Sequence, residues 1–134
     1  MRFFLFCAAL LCALPCFSAP SCDVRVPTET LPIGEVRLAY QSIGRPDDPA
    51  VLLVMGVGGQ LIDWPDPVLS RLCQQGLRVI RFDNRDVGLS SWLGSPPSSN
   101  LTLGVLSHQF GWPVRAPYHL RDMARDGLAL MDAL

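Results

Sequence analysis

The chain has 134 residues, 49% of them hydrophobic and 17% charged, with a formal net charge of -1. This composition excludes a wholly disordered protein and leaves room for one domain, though not for a large enzyme architecture. All 11 basic residues are Arg and they are scattered, so there is neither a basic footprint for nucleic acid nor an acidic tail.

The first 21 residues have the pattern of an export signal. Met1 and Arg2 form a short positive head, and Phe3 to Leu14 is an unbroken apolar run of twelve residues ended by Pro15. As a helix that run spans about 18 Å, short of the roughly 30 Å hydrocarbon core of a bilayer, so it reads as a secretory signal rather than a stable anchor. Ala19-Pro20-Ser21 places small residues before a cut at Cys22, and acylation of Cys22 as a lipoprotein is the minor alternative. The division expected is therefore residues 1–21 as signal peptide and residues 22–134 as the folded part, with membrane contact only through the signal and a secreted or periplasmic destination. Cleavage leaves 113 residues, a net charge of -2 and two cysteines, Cys22 and Cys73. An oxidising compartment permits a disulfide between them, but one pair makes no framework, and Cys73 reads first as a small buried residue on a helix.

From there strands alternate with helices. Thr28 to Leu31 and Val36 to Ser42 read as strands separated by a Pro32–Glu35 turn. The second has Val36, Leu38 and Tyr40 alternating with Arg37, Ala39 and Gln41, the pattern of a half-buried strand. Ala50 to Met55 is a continuous apolar run, expected to be a parallel strand covered on both faces, and Gly56-Val-Gly-Gly59 ends it. Asp66 to Gln75 carries Val68, Leu69, Leu72 and Cys73 at helical spacing and stops at Gly76. Leu77 to Phe82 is the next buried strand, completing a βαβ unit and a sheet that is at least partly parallel. The polar turn Asp83 to Ser90 follows, and residues 92–118 are irregular except for a short helix over Leu101 to Phe110. Pro96–Ser99 is a low-complexity tract, and Asn100-Leu-Thr102 matches a glycosylation sequon. Leu120 to Leu134 predicts a helix with Leu120, Met123, Ala124, Gly127, Met131 and Leu134 inward and Arg121, Asp122, Arg125 and Asp126 outward.

Two chemistries compete for the glycine loop. A dinucleotide site would need a third glycine at position 61 and a helix opening within the loop, whereas the chain has Leu61 followed by Asp63-Trp-Pro-Asp-Pro67. An oxyanion hole needs backbone N–H groups aimed at a developing negative charge, and a glycine turn permits that close approach. Val51-Leu-Leu-Val-Met-Gly-Val-Gly-Gly59, Asp63-Trp-Pro65 and Gly76 to Ser90 together resemble the N-terminal half of an α/β-hydrolase. The likeness is to the branch of ester hydrolases that contains aclacinomycin methylesterase, in which Met-Gly replaces the more usual His-Gly. It extends from about Leu31 to Leu134, and its most specific element is the turn Asp83-x-Arg85-x-x-Gly88-x-Ser90; Pro117-Tyr118 and the residues after it match the run-in to the helix before the nucleophile strand.

The resemblance implies an α/β fold, here the N-terminal and incomplete part of a mostly parallel sheet with flanking helices. It implies hydrolysis of a carboxylic ester or similar acyl bond in a small molecule by a Ser-His-Asp mechanism, with no cofactor and no metal. Val57 would give an oxyanion N–H through its backbone, Gly56, Gly58 and Gly59 would shape the loop, and Asp83, Arg85 and Gly88 would brace the turn. Trp64, Trp92, Phe110 and Trp112 are candidates for a substrate pocket or for cover over the sheet. The sequence contains no Gly-x-Ser-x-Gly elbow, so nucleophile, acid and base are not in it. Ser90 or Ser91 with His108 or His119 satisfies only a bare count of residue types. The expectation is of a chain inactive alone, from a truncated or frameshifted gene or a partial sequence, with a non-catalytic binding or interaction module as the alternative. It is also expected to be poorly stable, because the elbow strand would fall between the third and fourth strands and leave a gap.

Overall fold

The structure is a computed structural model that describes residues 22–94, 101–112 and 117–134, with residues 101–104 described by backbone alone. The signal segment, the Pro96–Ser99 tract and Asn100 of the sequon lie outside the described residues. Four strands form one mixed sheet: β1 (Glu29–Ile33), β2 (Val36–Ile43), β3 (Ala50–Leu53) and β4 (Arg78–Phe82), in the order β1-β2-β4-β3. The helices are α1 (Asp66–Gln74), α2 (Leu101–Gln109) and α3 (Leu120–Ala133), and a 3₁₀ turn covers Leu61–Asp63.

The first hairpin is tighter than its composition implies. Its turn is Gly34-Glu35 alone, with Ile33 opposite Val36, and Gly34 at φ +57° supplies the left-handed first position that a two-residue turn requires. Pro32 therefore sits within β1 rather than in the turn, an arrangement compatible with an edge strand because proline has no N–H to give to a ladder. β2 is antiparallel to both neighbours and is buried on both faces. Ala39 is fully buried and Gln41 is 8% exposed, so the half-buried reading of this strand is corrected: layers of structure cover the sheet on either side.

Those layers follow the period of two. On one face Val36, Leu38, Tyr40, Ile80 and Phe82 pack with Leu130 of α3. On the other, Ile43 and Val79 pack with Leu69 and Cys73 of α1. Residues 22–28 cross this second face as an extended strap, and Cys22, Val24 and Val26 press onto the same cluster. Cys73 is fully buried, as its helical position implies, and it is also bonded to Cys22, with the two Cα atoms 5.7 Å apart. The reading of Cys73 as a merely packed thiol is thus corrected: the strap brings Cys22 to it across 51 residues of sequence.

β3 and β4 are direct parallel neighbours, with Ala50 opposite Arg78 and Leu53 opposite Arg81. The expected gap between them does not exist, because the α1 crossover returns the chain to the adjacent position. The unpaired side is the outer edge of β3. That edge also explains why β3 is shorter than the apolar run and incompletely covered: it ends at Leu53, and Val54 is 58% exposed. α2 stops at Gln109, one residue short of the expected end. α3 is turned relative to its apolar stripe, since Asp126, Gly127 and Leu130 are buried while Leu120 is 80% exposed and Ala124 is also exposed. The cause is Asp126, which takes an inward place because half-buried Arg85 meets it there.

Candidate functional site

The glycine loop leaves the end of β3 at the open edge. Gly59 N–H donates to the Gly56 carbonyl at 3.1 Å, closing a tight turn around Val57 and Gly58. Gly58 stands at φ +75°, where a side chain is strained, and a Cβ on Gly59 would collide with the Met55 side chain. Gly56 faces open space. Val57, at the tip, has a fully exposed side chain, and its N–H meets no protein acceptor among the described residues. A loop of this shape can present one backbone donor to an anionic oxygen.

Two buried side chains hold the loop from beneath. Asn84, 4% exposed, donates its amide N–H to the Met55 carbonyl at 3.3 Å. Asp83, 2% exposed, accepts from Leu61 N–H at 2.7 Å through one oxygen and from Leu89 N–H at 3.0 Å through the other. One carboxylate thus ties the 3₁₀ turn after the glycine loop to the turn after β4. Gly88, at φ +51°, lies so close to that carboxylate that any Cβ would collide with it. Ser90 completes the brace, accepting from Ala39 N–H at 2.9 Å and donating to the Asp83 carbonyl at 2.6 Å. Ser91 Oγ accepts from Arg37 N–H. Both serines are therefore structural, and the bare list that paired them with His108 or His119 is set aside; His119 instead opens α3, its N–H bonded to Asp122.

Arg85 reaches the other way. Its Nε and Nη2 donate to the two oxygens of Asp126, each at 2.7 Å, and its guanidinium lies 5.0 Å from the centre of the Tyr118 ring. The paired hydrogen bonds hold Arg85 above its ordinary pKa even though burial opposes this, so the guanidinium stays charged. It fastens the β4 turn to α3. Asp83, Arg85 and Gly88 all lie in the turn after β4, while Asp126 was hidden in the sequence by an outward-looking charge stripe, and Asn84 by its place in a polar run.

Between the β3 edge and α3 lies an apolar groove of about 550 Å³ lined by Leu52, Met55, Val57, Phe82, Met123 and Leu128, among others. Of the aromatic residues proposed for a pocket, none lines it. Trp92, Phe110 and Trp112 are about two-thirds exposed, with the rings of Phe110 and Trp112 6.0 Å apart and tilted by 38°. Trp64 is half-buried on the α1 side of the sheet, against the cluster around Cys73. Among the described residues no group of three or more His, Cys, Asp or Glu side chains could hold a metal, and no helix is long and apolar enough to cross a membrane.

Comparison with known proteins agrees with the architecture. No family model matches the chain. Rhodomycin D methylesterase from Streptomyces sp. (strain C5) is 32% identical over 108 residues, which cover 81% of this chain and 30% of that protein. The enzyme of the same name from Streptomyces peucetius is 35% identical over 97 residues, covering 69% and 33%. Among solved structures, the enol-lactonase from Burkholderia xenovorans superimposes with a TM-score of 0.55 at 24% identity, over 78% of this chain and 32% of that one. The chain thus spans about a third of the length of the relatives it matches.

Proposed function

Because the chain belongs to the α/β-hydrolase superfamily, we propose that residues 22–134 form the oxyanion side of an enzyme that hydrolyses a carboxylic ester, or a similar acyl bond, in a small molecule. The observation that carries this reading is the tight turn at Gly56–Gly59 directly after a parallel strand, with the Val57 N–H unclaimed and an apolar groove beside it. In acyl transfer, negative charge builds on the carbonyl oxygen as the nucleophile adds. A donor already held in place stabilises that charge without reorganisation. Asn84 and Asp83 perform the holding: one fixes the carbonyl before the turn, the other fixes the 3₁₀ turn after it. The attacking serine, its histidine and its acid are not among these residues, so the chain by itself is inactive in this account.

Export belongs to the same reading. A disulfide persists in an oxidising compartment, and Cys22–Cys73 supports delivery to the periplasm or exterior. It also weighs against lipidation, since the thioether of an acylated cysteine and the disulfide would need the same Cys22 sulfur.

A graft tests the function. Residues 22–134, with the strap and its disulfide, replace the matching segment of a rhodomycin D methylesterase, and hydrolysis of a p-nitrophenyl ester is followed. The graft is expected to turn over ester well above background, and the 134-residue chain alone is not. A graft that melts cooperatively yet lacks activity would contradict the reading and favour a binding module.

A further inference from the structure

Residues 22–28 belong to no ladder in the described sheet. What holds this strap is a short set of contacts. Cys22, Val24 and Val26 are only half-buried, alternating with exposed Asp23, Arg25 and Pro27. The Gln41 amide nitrogen donates to the Val26 carbonyl at 3.0 Å and to Thr28 Oγ1 at 2.9 Å. The remaining tie is the disulfide.

The strap is joined to the far side of the glycine loop in two ways. Trp64, at the end of the 3₁₀ turn, packs on the same apolar cluster as Val24 and Val26. In addition, Gln41 Oε1 accepts from Arg81 Nε at 2.7 Å, and Arg81 Nη1 reaches the Trp64 carbonyl at 3.4 Å. Arg81 is 5% exposed, so its orientation depends on these acceptors. The strap occupies both amide protons of Gln41 and thereby turns the Gln41 oxygen toward Arg81.

From this arrangement we infer that Cys22–Cys73 is a redox latch: oxidised, it seats the strap and with it the Gly56–Trp64 segment; reduced, it frees the strap and loosens that segment while the sheet stays folded. The two sulfurs are unequal. Cys73 is fully buried and Cys22 half-buried, so a dithiol reductant attacks at Cys22. Its thiolate forms a mixed disulfide with Cys22 and expels Cys73 as thiolate. Its second thiol then displaces Cys22, so that two electrons and two protons pass to the protein and the reductant becomes a disulfide. In an oxidising compartment the loop would acquire its order when the latch closes.

Trp64 reports the state if Trp92 and Trp112 are changed to Phe, because the chain has three tryptophans. The mature protein from Cys22, which lacks Cys7, Cys12 and Cys16, is compared oxidised and after dithiothreitol. Reduction is expected to shift Trp64 emission to the red and to raise its quenching by acrylamide at least twofold. Far-UV circular dichroism and amide exchange across Tyr40–Ile43 should stay within twofold of the oxidised protein. Cys22→Ser should reproduce the reduced signature without reductant, and a monothiol trap should attach to Cys22. An unmoved Trp64, a trap found on Cys73, or loss of the sheet signal on reduction would each overturn the latch.

Discussion

At the scale of single residues, two glycines in contact with their surroundings make opposite predictions. Gly88→Ala places a Cβ on the Asp83 carboxylate at a left-handed position, and pushing that carboxylate aside frees the Leu61 and Leu89 N–H groups. A left-handed non-glycine residue costs roughly 1–2 kcal/mol and the orphaned donor of buried Leu61 about 1–3, so urea unfolding should show a loss of at least ~2 kcal/mol. Gly127→Ala adds a Cβ 3.4 Å from Leu52 and 3.7 Å from Phe82, ordinary contact distances, in the interior of α3. There the better helix former should win, with a gain of up to about 1 kcal/mol in the same measurement. Titration adds a third prediction. Burial first, then the hydrogen bond to Glu29, raises the Tyr40 phenol, and burial followed by Asp86 does the same for Tyr118. Both hold their protons more tightly folded than unfolded. Their contribution is therefore complete below about pH 10 and is lost as pH rises through the folded values, so absorbance at 295 nm and unfolding should move together in alkali.

At the scale of elements, much was legible in the sequence because it is local. Leu38 and Tyr40 alternate, Val51-Leu-Leu runs unbroken, and Leu69 with Cys73 repeats at a helical interval, so strands and helices fall near their expected places. What the local pattern does not contain is pairing. Nothing near Ala50 announces that Arg78 lies beside it, and the expected gap between β3 and β4 came from an assumed strand order that the pairing overturns. The same holds for Asp126. Its neighbours Arg125 and Asp122 make an outward stripe, and only the fold brings Arg85 in from 41 residues away. The candidate site was legible to the degree that it is backbone: glycines at Gly58 and Gly88 mark turns a side chain would strain, whereas Asn84 and Gln41 gave no sign of the carbonyls they hold. The Arg85–Asp126 link gives this scale its test. Asp126→Ala leaves the half-buried Arg85 guanidinium without its charged partner, and a loss of about 1.5–3 kcal/mol in urea unfolding is expected, whereas a change below ~1 kcal/mol would mean that α3 is held without the pair.

At the scale of the whole molecule, the sheet is finished on one side and open on the other. The β1 edge carries Pro32, a residue that discourages further pairing, while the β3 edge carries exposed Val54 beside an apolar groove. The open edge and the candidate oxyanion loop are neighbours. The most direct test of the account removes the Val57 N–H. In the active methylesterase graft, Val57→Pro deletes that donor and Val57→Ala keeps it. Val57→Pro should lower kcat by about 10²–10³ with KM little changed and the melting transition retained, while Val57→Ala stays near the parent. A Val57→Pro graft that folds and turns over ester at the parent rate would contradict it.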